Sequence, residues 1–220
     1  MWDSTTVMML VEGTFDTLYM TLASTLFGYV LGLPLGIILC ITDKEGIKPN
    51  AAVYKVLDFI VNILRSIPFL ILLILVMPIT TFIVGKSYGS SATVVPLVIA
   101  AAPFIARMVE SSLKEVDKGV IEAAQSMGAS TWTIVYKVLL GEARTSLLVG
   151  VTIAIGTILG YSAMAGVVGG GGLGDIAIRY GYYRYQADVM LVTIVILVAL
   201  VQILQGIGMM ISKKIDKRKA

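Results

Sequence analysis

The 220-residue sequence has no histidine, a single cysteine and few charged side chains. Lacking histidine, it lacks both the commonest metal ligand and the side chain that most often acts as a general base near neutrality. One cysteine excludes a disulfide framework within the chain. Catalysis by this polypeptide is therefore not expected. Charged residues make up 14% of the chain, against about 25% in an ordinary soluble domain, too few to build a water-facing surface. The formal charge of +3 is too small to suggest a nucleic-acid partner, so the placement of Lys and Arg matters more than their total. A basic n-region is missing too. Residues 1–16 hold Asp3, Glu12 and Asp16 and no Lys or Arg, which gives no reason to expect a secretory signal peptide.

Apolar residues dominate, at 57% of the chain and a mean hydropathy of +0.91. Five stretches carry no charge: Thr17 to Thr42, Ser66 to Gly85, Ser87 to Ala106, Thr145 to Gly174 and Val189 to Ser212. Each reaches the roughly 20 residues that a helix needs to cross hydrocarbon. In the second, thirteen Leu, Ile, Val and Phe residues contribute roughly −4 to −8 kcal/mol to insertion. That outweighs Pro68 and Pro78 and most of the cost of Arg65 at its edge. The expectation is an all-α membrane protein of one unit, 1–220, with five spans at about 17–42, 60–85, 89–108, 145–168 and 189–212.

Basic residues choose the orientation, because Lys and Arg accumulate on the cytoplasmic side. Lys44, Lys48 and Lys55 follow the first span; Arg107, Lys114, Lys118, Lys137 and Arg144 lie between the third and fourth; Lys213, Lys214, Lys217, Arg218 and Lys219 form the tail. Only Lys86, Arg179 and Arg184 fall on the other side. The N-terminus is thus expected outside and the C-terminus in the cytoplasm.

Small residues recur every four positions at Gly28, Gly32 and Gly36, and again at Gly156 and Gly160. That spacing allows close helix approach, and packing within the chain is the simpler reading for both sets. Two phosphate-binding patterns fail. Gly85-Lys86-Ser87 has Thr80 where a P-loop needs Gly, and Gly169, Gly171 and Gly174 follow an apolar helix rather than a strand. The chain therefore offers no nucleotide site, and energy for active transport would come from a partner or an ion gradient.

Asp58, Asn62 and Arg65 share one helical face. A charge at membrane depth is costly, so these residues are expected to form an intramembrane polar clamp before Pro68, with a ligand role for Arg65 as the alternative. Gly166 and Gly169 to Gly174 cannot sustain a helix at about 1 kcal/mol lost per Gly. The fourth span should end there, as an outer gate or a plain turn. Between Asp175 and Ala187, Arg179, Tyr180, Tyr182, Tyr183, Arg184 and Tyr185 suit either an interfacial belt or a protein contact.

The cytoplasmic segment 109–144 contains a short helix former, Val120 to Met127, closed by Gly128. Val120, Ala123, Ala124 and Met127 would form a small apolar ridge beside Glu122, with too little bulk to hold lipid, so a protein groove is the better partner. Glu122-Ala123-Ala124, Gly128, Val138 and Leu140 resemble the EAA loop of ABC importer permeases, E-A-A-x3-G-x9-I-x-L-P. Val138 replaces Ile, and Gly141 stands where the family usually has Pro, which should loosen the turn into the fourth helix. The resemblance runs over nearly the whole chain and is closest to the five-helix methionine permeases, through Gly13 to Thr21 (GTFDTLYMT), Arg65 to Phe69 (RSIPF) and Ser162 to Tyr183 (SAMAGVVGGGGLGDIAIRYGYY).

That resemblance implies a multi-pass subunit of the bacterial cytoplasmic membrane that moves methionine by alternating access. A permease for another amino acid or small polar solute, or an ion-coupled secondary transporter, is the alternative. It implies further that two copies form the pore, that the coupling helix of each fits a cleft on an ATP-binding subunit, and that two such subunits, which would hold ATP and Mg, drive it. An extracytoplasmic methionine-binding protein would deliver the substrate. No cofactor is expected in this chain. Tyr161, Ser162, Met164, Gly166 and Gly170 are the candidates for the substrate pathway or gate.

Overall fold

The computed structural model describes residues 3–215, which are helical almost throughout. The tail cations Lys217, Arg218 and Lys219 lie outside the described residues. Helix α1 spans Ser4–Thr42, with Asp3 as N-cap accepting from the Thr6 amide at 2.8 Å. It starts well before the expected Thr17. The added turns bury Leu10 with Leu173, Ile176 and Val189, so tertiary contact extends the helix past Glu12 and Asp16. At 1.5 Å per residue α1 is about 58 Å long, longer than a bilayer core is thick.

Helices α2 (Ala51–Ser66) and α3 (Phe69–Leu75) meet at a bend of 104°. The span expected at 60–85 thus starts earlier, at Ala51, and is sharply bent at its proline. Pro68 forces the residue before it out of the helical region, and Ile67 accordingly has ψ 124°. Helix α4 (Met77–Val84) ends at Gly85, which is left-handed at φ 81°. Helix α5 runs over Ser90–Lys114, six residues beyond the expected end at 108.

A short link then leads to α6 (Lys118–Ser126). The turn α7 (Thr131–Thr133), a π-helical stretch Ile134–Leu139 and α8 (Leu140–Glu142) carry the chain into α9 (Arg144–Ala165). Gly141 lies within this helical path, so the loosened turn expected there does not form. A 3₁₀ turn at Gly166–Val168 and a glycine corner precede α10 (Gly172–Ile176) and a second π-helical stretch, Ala177–Tyr182. The expected outer loop is thus mostly helical. Helix α11 spans Ala187–Ile215. By length and composition α1, α5, α11 and the run from Arg144 can cross a membrane, and the bent α2–α3 pair passes the same test taken together, which makes up to five crossings.

The core is the seam between α1 and α5. A Cβ on Gly32 would stand 2.7 Å from the Ala102 carbonyl, and one on Gly36 2.5 Å from that of Ala106. Met20, Leu97, Ala101, Ile105, Val109 and Ile158 are buried around this seam. The second glycine pair behaves differently. Gly156 meets Gln205 of α11, but nothing lies within 4 Å of a Cβ at Gly160, so the expectation of intrachain packing fails there.

Candidate functional site

At one end of the bundle α6 stands out as a surface helix. Asp117 caps it, accepting from the Gly119 amide at 2.7 Å. At the other terminus the Ala129 amide bonds the Ala124 carbonyl at 3.0 Å and the Gly128 amide that of Gln125 at 2.9 Å. This pair is the Schellman arrangement, and it requires the left-handed φ of 75° that Gly128 adopts. Ala124 is buried and Ile121 half-buried against the core, which anchors α6. Val120, Glu122, Ala123 and Met127 remain exposed, Met127 at 82%. The ridge expected from spacing is therefore split: Ala124 holds the helix to its own chain, and the other three are presented outward.

Behind α6 a cavity of about 240 Å³ is lined by Cys40, Asp43, Lys114, Lys118, Ile121 and Glu122 among others. Two ion pairs brace its rim, Lys114 to Asp43 at 2.7 Å and Lys118 to Glu45 at 2.6 Å. The hydrogen bond from Lys114 holds the Asp43 carboxyl below its ordinary pKa, and Lys118 does the same for Glu45.

Asp58 and Asn62 do not pair with Arg65. Their partner is Arg107 of α5, whose guanidinium reaches Asp58 at 2.5 Å and Asn62 at 2.9 Å. Arg107 also donates to Glu110 at 2.7 Å; Glu110 in turn accepts from Lys114 at 2.7 Å and from the Tyr54 hydroxyl at 3.3 Å. Glu110 is 2% exposed. The clamp expected at Arg65 is therefore corrected: it joins α1, α2 and α5 through Arg107, Glu110 and Lys114, and Arg65 lies exposed outside it. The geometry favours α5 because Arg107 faces α2 directly across the packed Ala106–Val61–Leu39 cluster. The signal was present in the sequence, since Arg107, Glu110 and Lys114 fall at i, i+3 and i+7 on one helical face.

The opposite end is built on the glycine corner. Gly169, Gly171 and Gly172 have φ of 76°, 80° and 72°. Its backbone is tied to α5 by Gly89 N–H to Gly169 O at 2.9 Å and by the Thr93 hydroxyl to Gly170 O at 2.9 Å. Thr17 of α1 accepts from the Leu173 amide at 2.9 Å. Gly166 packs directly on the backbone of Gly174 and Asp175. Gly166 and Gly170 thus hold a corner closed rather than lining an opening.

Ser162 is 1% exposed and spends its hydroxyl on the Leu159 carbonyl at 2.8 Å, so the structure removes it from any pathway surface. Tyr161 is half-buried and stacks on Phe69, just past the α2–α3 bend, with ring centroids 4.6 Å apart. Met164 is 48% exposed. Farther out, Arg179 pairs with Asp175 at 2.8 Å and Arg184 lies over the Tyr180 ring.

Residues 32–217 match the family described as binding-protein-dependent transport system inner membrane component. The chain belongs to this family. Among its relatives, the probable D-methionine transport system permease protein MetI of Vibrio cholerae is 49% identical over 99% of this chain and 96% of its own. The methionine import system permease protein MetP of Bacillus subtilis is 49% identical over 94% and 93%. A solved chain from inward-facing conformations of the MetNI methionine ABC transporter superposes with TM-score 0.97 at 48% identity, covering 98% of this chain and 100% of that one. As an inner membrane component, this chain is a transport subunit rather than an enzyme, and its exposed apolar helices belong in the membrane.

Proposed function

We propose that this chain is the permease subunit of an ATP-driven importer of methionine. The observation that carries the reading is end-to-end identity of 49% with a methionine permease, spanning the Gly-rich corner and the α6 segment alike. Two copies form the pore. The basic residues orient it with the N-terminus outside and α6 in the cytoplasm. An extracytoplasmic binding protein meets the outer face around Arg179 to Tyr185.

On the cytoplasmic side α6 docks on an ATP-binding subunit, which holds ATP and Mg. A nine-residue helix is marginal in isolation. Here both of its ends are capped and Ile121 and Ala124 root it in the bundle, so docking meets a preformed surface and loses little ordering entropy. Glu122 supplies the charge of that surface; Val120, Ala123 and Met127 supply its apolar area. Because α5 passes into α6 through three residues, Glu115–Asp117, displacement of α6 is transmitted directly to the α1–α5 seam.

The test is uptake of labelled methionine by cells that lack their own methionine importers and express this chain with its ATP-binding and binding-protein partners. Uptake competed by methionine and by no other amino acid is the expected result; uptake of a different solute would reassign the cargo. In the same cells Glu122→Lys should leave permease abundance unchanged and abolish uptake, because loss of a partly buried charge pair costs about 2–5 kcal/mol. Full uptake at normal abundance would refute the docking role of α6.

A further inference from the structure

Helix α2 carries a polar sector that the folded chain leaves uncovered. At 100° per residue, Lys55, Asp58, Asn62, Arg65 and Ser66 fall within roughly 100° of arc. Tyr54, Leu57 and Val61 occupy the sector that packs on α1 and α5, and the exposed apolar Val56, Phe59 and Ile60 occupy the third. Lys55, Asn62, Arg65 and Ser66 are exposed. A groove of about 500 Å³ runs along this sector, lined by Lys55, Asp58, Asn62 and Ser66 with Phe59 and Ile63 at its edge.

Depth makes this exposure informative. The chain enters α2 beside the end of α1, where the Asn50 amide bonds the Thr42 carbonyl at 2.9 Å. Arg107, which grips Asp58 and Asn62, follows Ala106, and the Ala106 carbonyl lies against Gly36. Gly36 stands six residues inside the end of α1, or roughly 9 Å. Arg65 and Ser66 lie about a further helical turn inward. An Arg facing lipid costs about 2.5–3.5 kcal/mol at the centre of a spanning helix and less toward its ends, so an aqueous setting is the more favourable one for Arg65. Asp58 is neutralised by Arg107, but neither Lys55 nor Arg65 has an ion-pair partner among the described residues.

We infer that the Lys55–Ser66 sector of α2 lines a water-filled vestibule between two copies of the chain, open toward the α6 end. The unpaired cations Lys55 and Arg65 give that vestibule a positive field, which draws the carboxylate of a departing zwitterionic amino acid toward the α6 end. This rests on the permease reading above, and it assigns Arg65 to the exit route instead of to a clamp.

The test is thiol accessibility in the assembled importer, in inside-out membrane vesicles and with Cys40, the one native cysteine, replaced by alanine. Ser66→Cys and Lys55→Cys are compared with Ile60→Cys on the apolar face, using membrane-impermeant methanethiosulfonates of either charge. Reaction needs a thiolate in water, so both polar-sector variants should label more than about tenfold faster than Ile60→Cys. Each rate being divided by that of the same reagent with a small free thiol, the anionic reagent should be favoured over the cationic one at Ser66→Cys by roughly fivefold, as expected for a nearby unit charge, and Arg65→Gln should reduce that preference. Equal slow labelling on both faces would overturn the vestibule; fast labelling without charge preference would overturn the role of the cations. Neither readout depends on which amino acid is carried, so a wrong cargo would leave the labelling pattern intact and show only in the uptake assay.

Discussion

Glu110 shows how a charge becomes tolerable inside this bundle. Its carboxylate accepts from Arg107, Lys114 and Tyr54, so burial to 2% exposure leaves none of its charge unpaired. Breaking a buried pair costs about 3–5 kcal/mol, reduced here because the Arg107 and Lys114 side chains are 24% and 39% exposed. Glu110→Leu should therefore destabilise the detergent-solubilised protein by about 1–3 kcal/mol, read as a lowered Tm; an unchanged Tm would mean that the network is ornamental. Asp43 makes a second, pH-dependent case. Its folded pKa is depressed by Lys114, so its contribution is present above the unfolded value and is lost as pH falls through the folded one. Below about pH 4 the wild type should lose more stability than Asp43→Asn, whose thermal melt lacks that acid-side slope.

At the scale of helices, close approach and caps decide what each element can do. The α1–α5 seam leaves no room for a side chain at Gly36, where a Cβ would face both the Ala106 carbonyl and Val109. Gly36→Leu should reduce membrane abundance severalfold, whereas Gly160→Ala, with open space within the protomer, should be accumulated normally; a quantitative blot distinguishes them. For α6 the decisive element is its Schellman terminus. A left-handed residue other than Gly costs about 1–2 kcal/mol, and Asn tolerates that region better than Ala. Gly128→Asn should thus keep more methionine uptake than Gly128→Ala at equal abundance, and the reverse order would argue against the left-handed turn as the feature that presents α6.

For the whole molecule the broken second span is the organising irregularity. A 104° bend separates amphipathic α2, whose exposed polar sector lies toward the α6 end, from apolar α3, which carries Phe69 onto Tyr161 of α9. The proposed orientation rests on charge asymmetry alone, which leads to a direct check. A reporter that is active only after export should be silent when fused after Ala220 and active when fused in the Lys86–Gly89 turn. Activity after Ala220 would invert the topology and, with it, the side on which α6 docks.

Composition and periodicity alone determined the helical class, the apolar runs long enough to cross a membrane and the glycine corner, because insertion energy and glycine conformational freedom are summed locally along the chain. They also marked Val120 to Gly128 as a short capped helix, since a cap is a property of neighbouring residues. Only tertiary structure decided that Arg107 rather than Arg65 holds Asp58 and Asn62, that Ser162 is buried, and that Ala124 anchors α6 while Met127 is presented. Those outcomes depend on which face of one helix meets which face of another, and at a bend such as Ile67–Pro68 the rotation between faces is set by packing across the bundle.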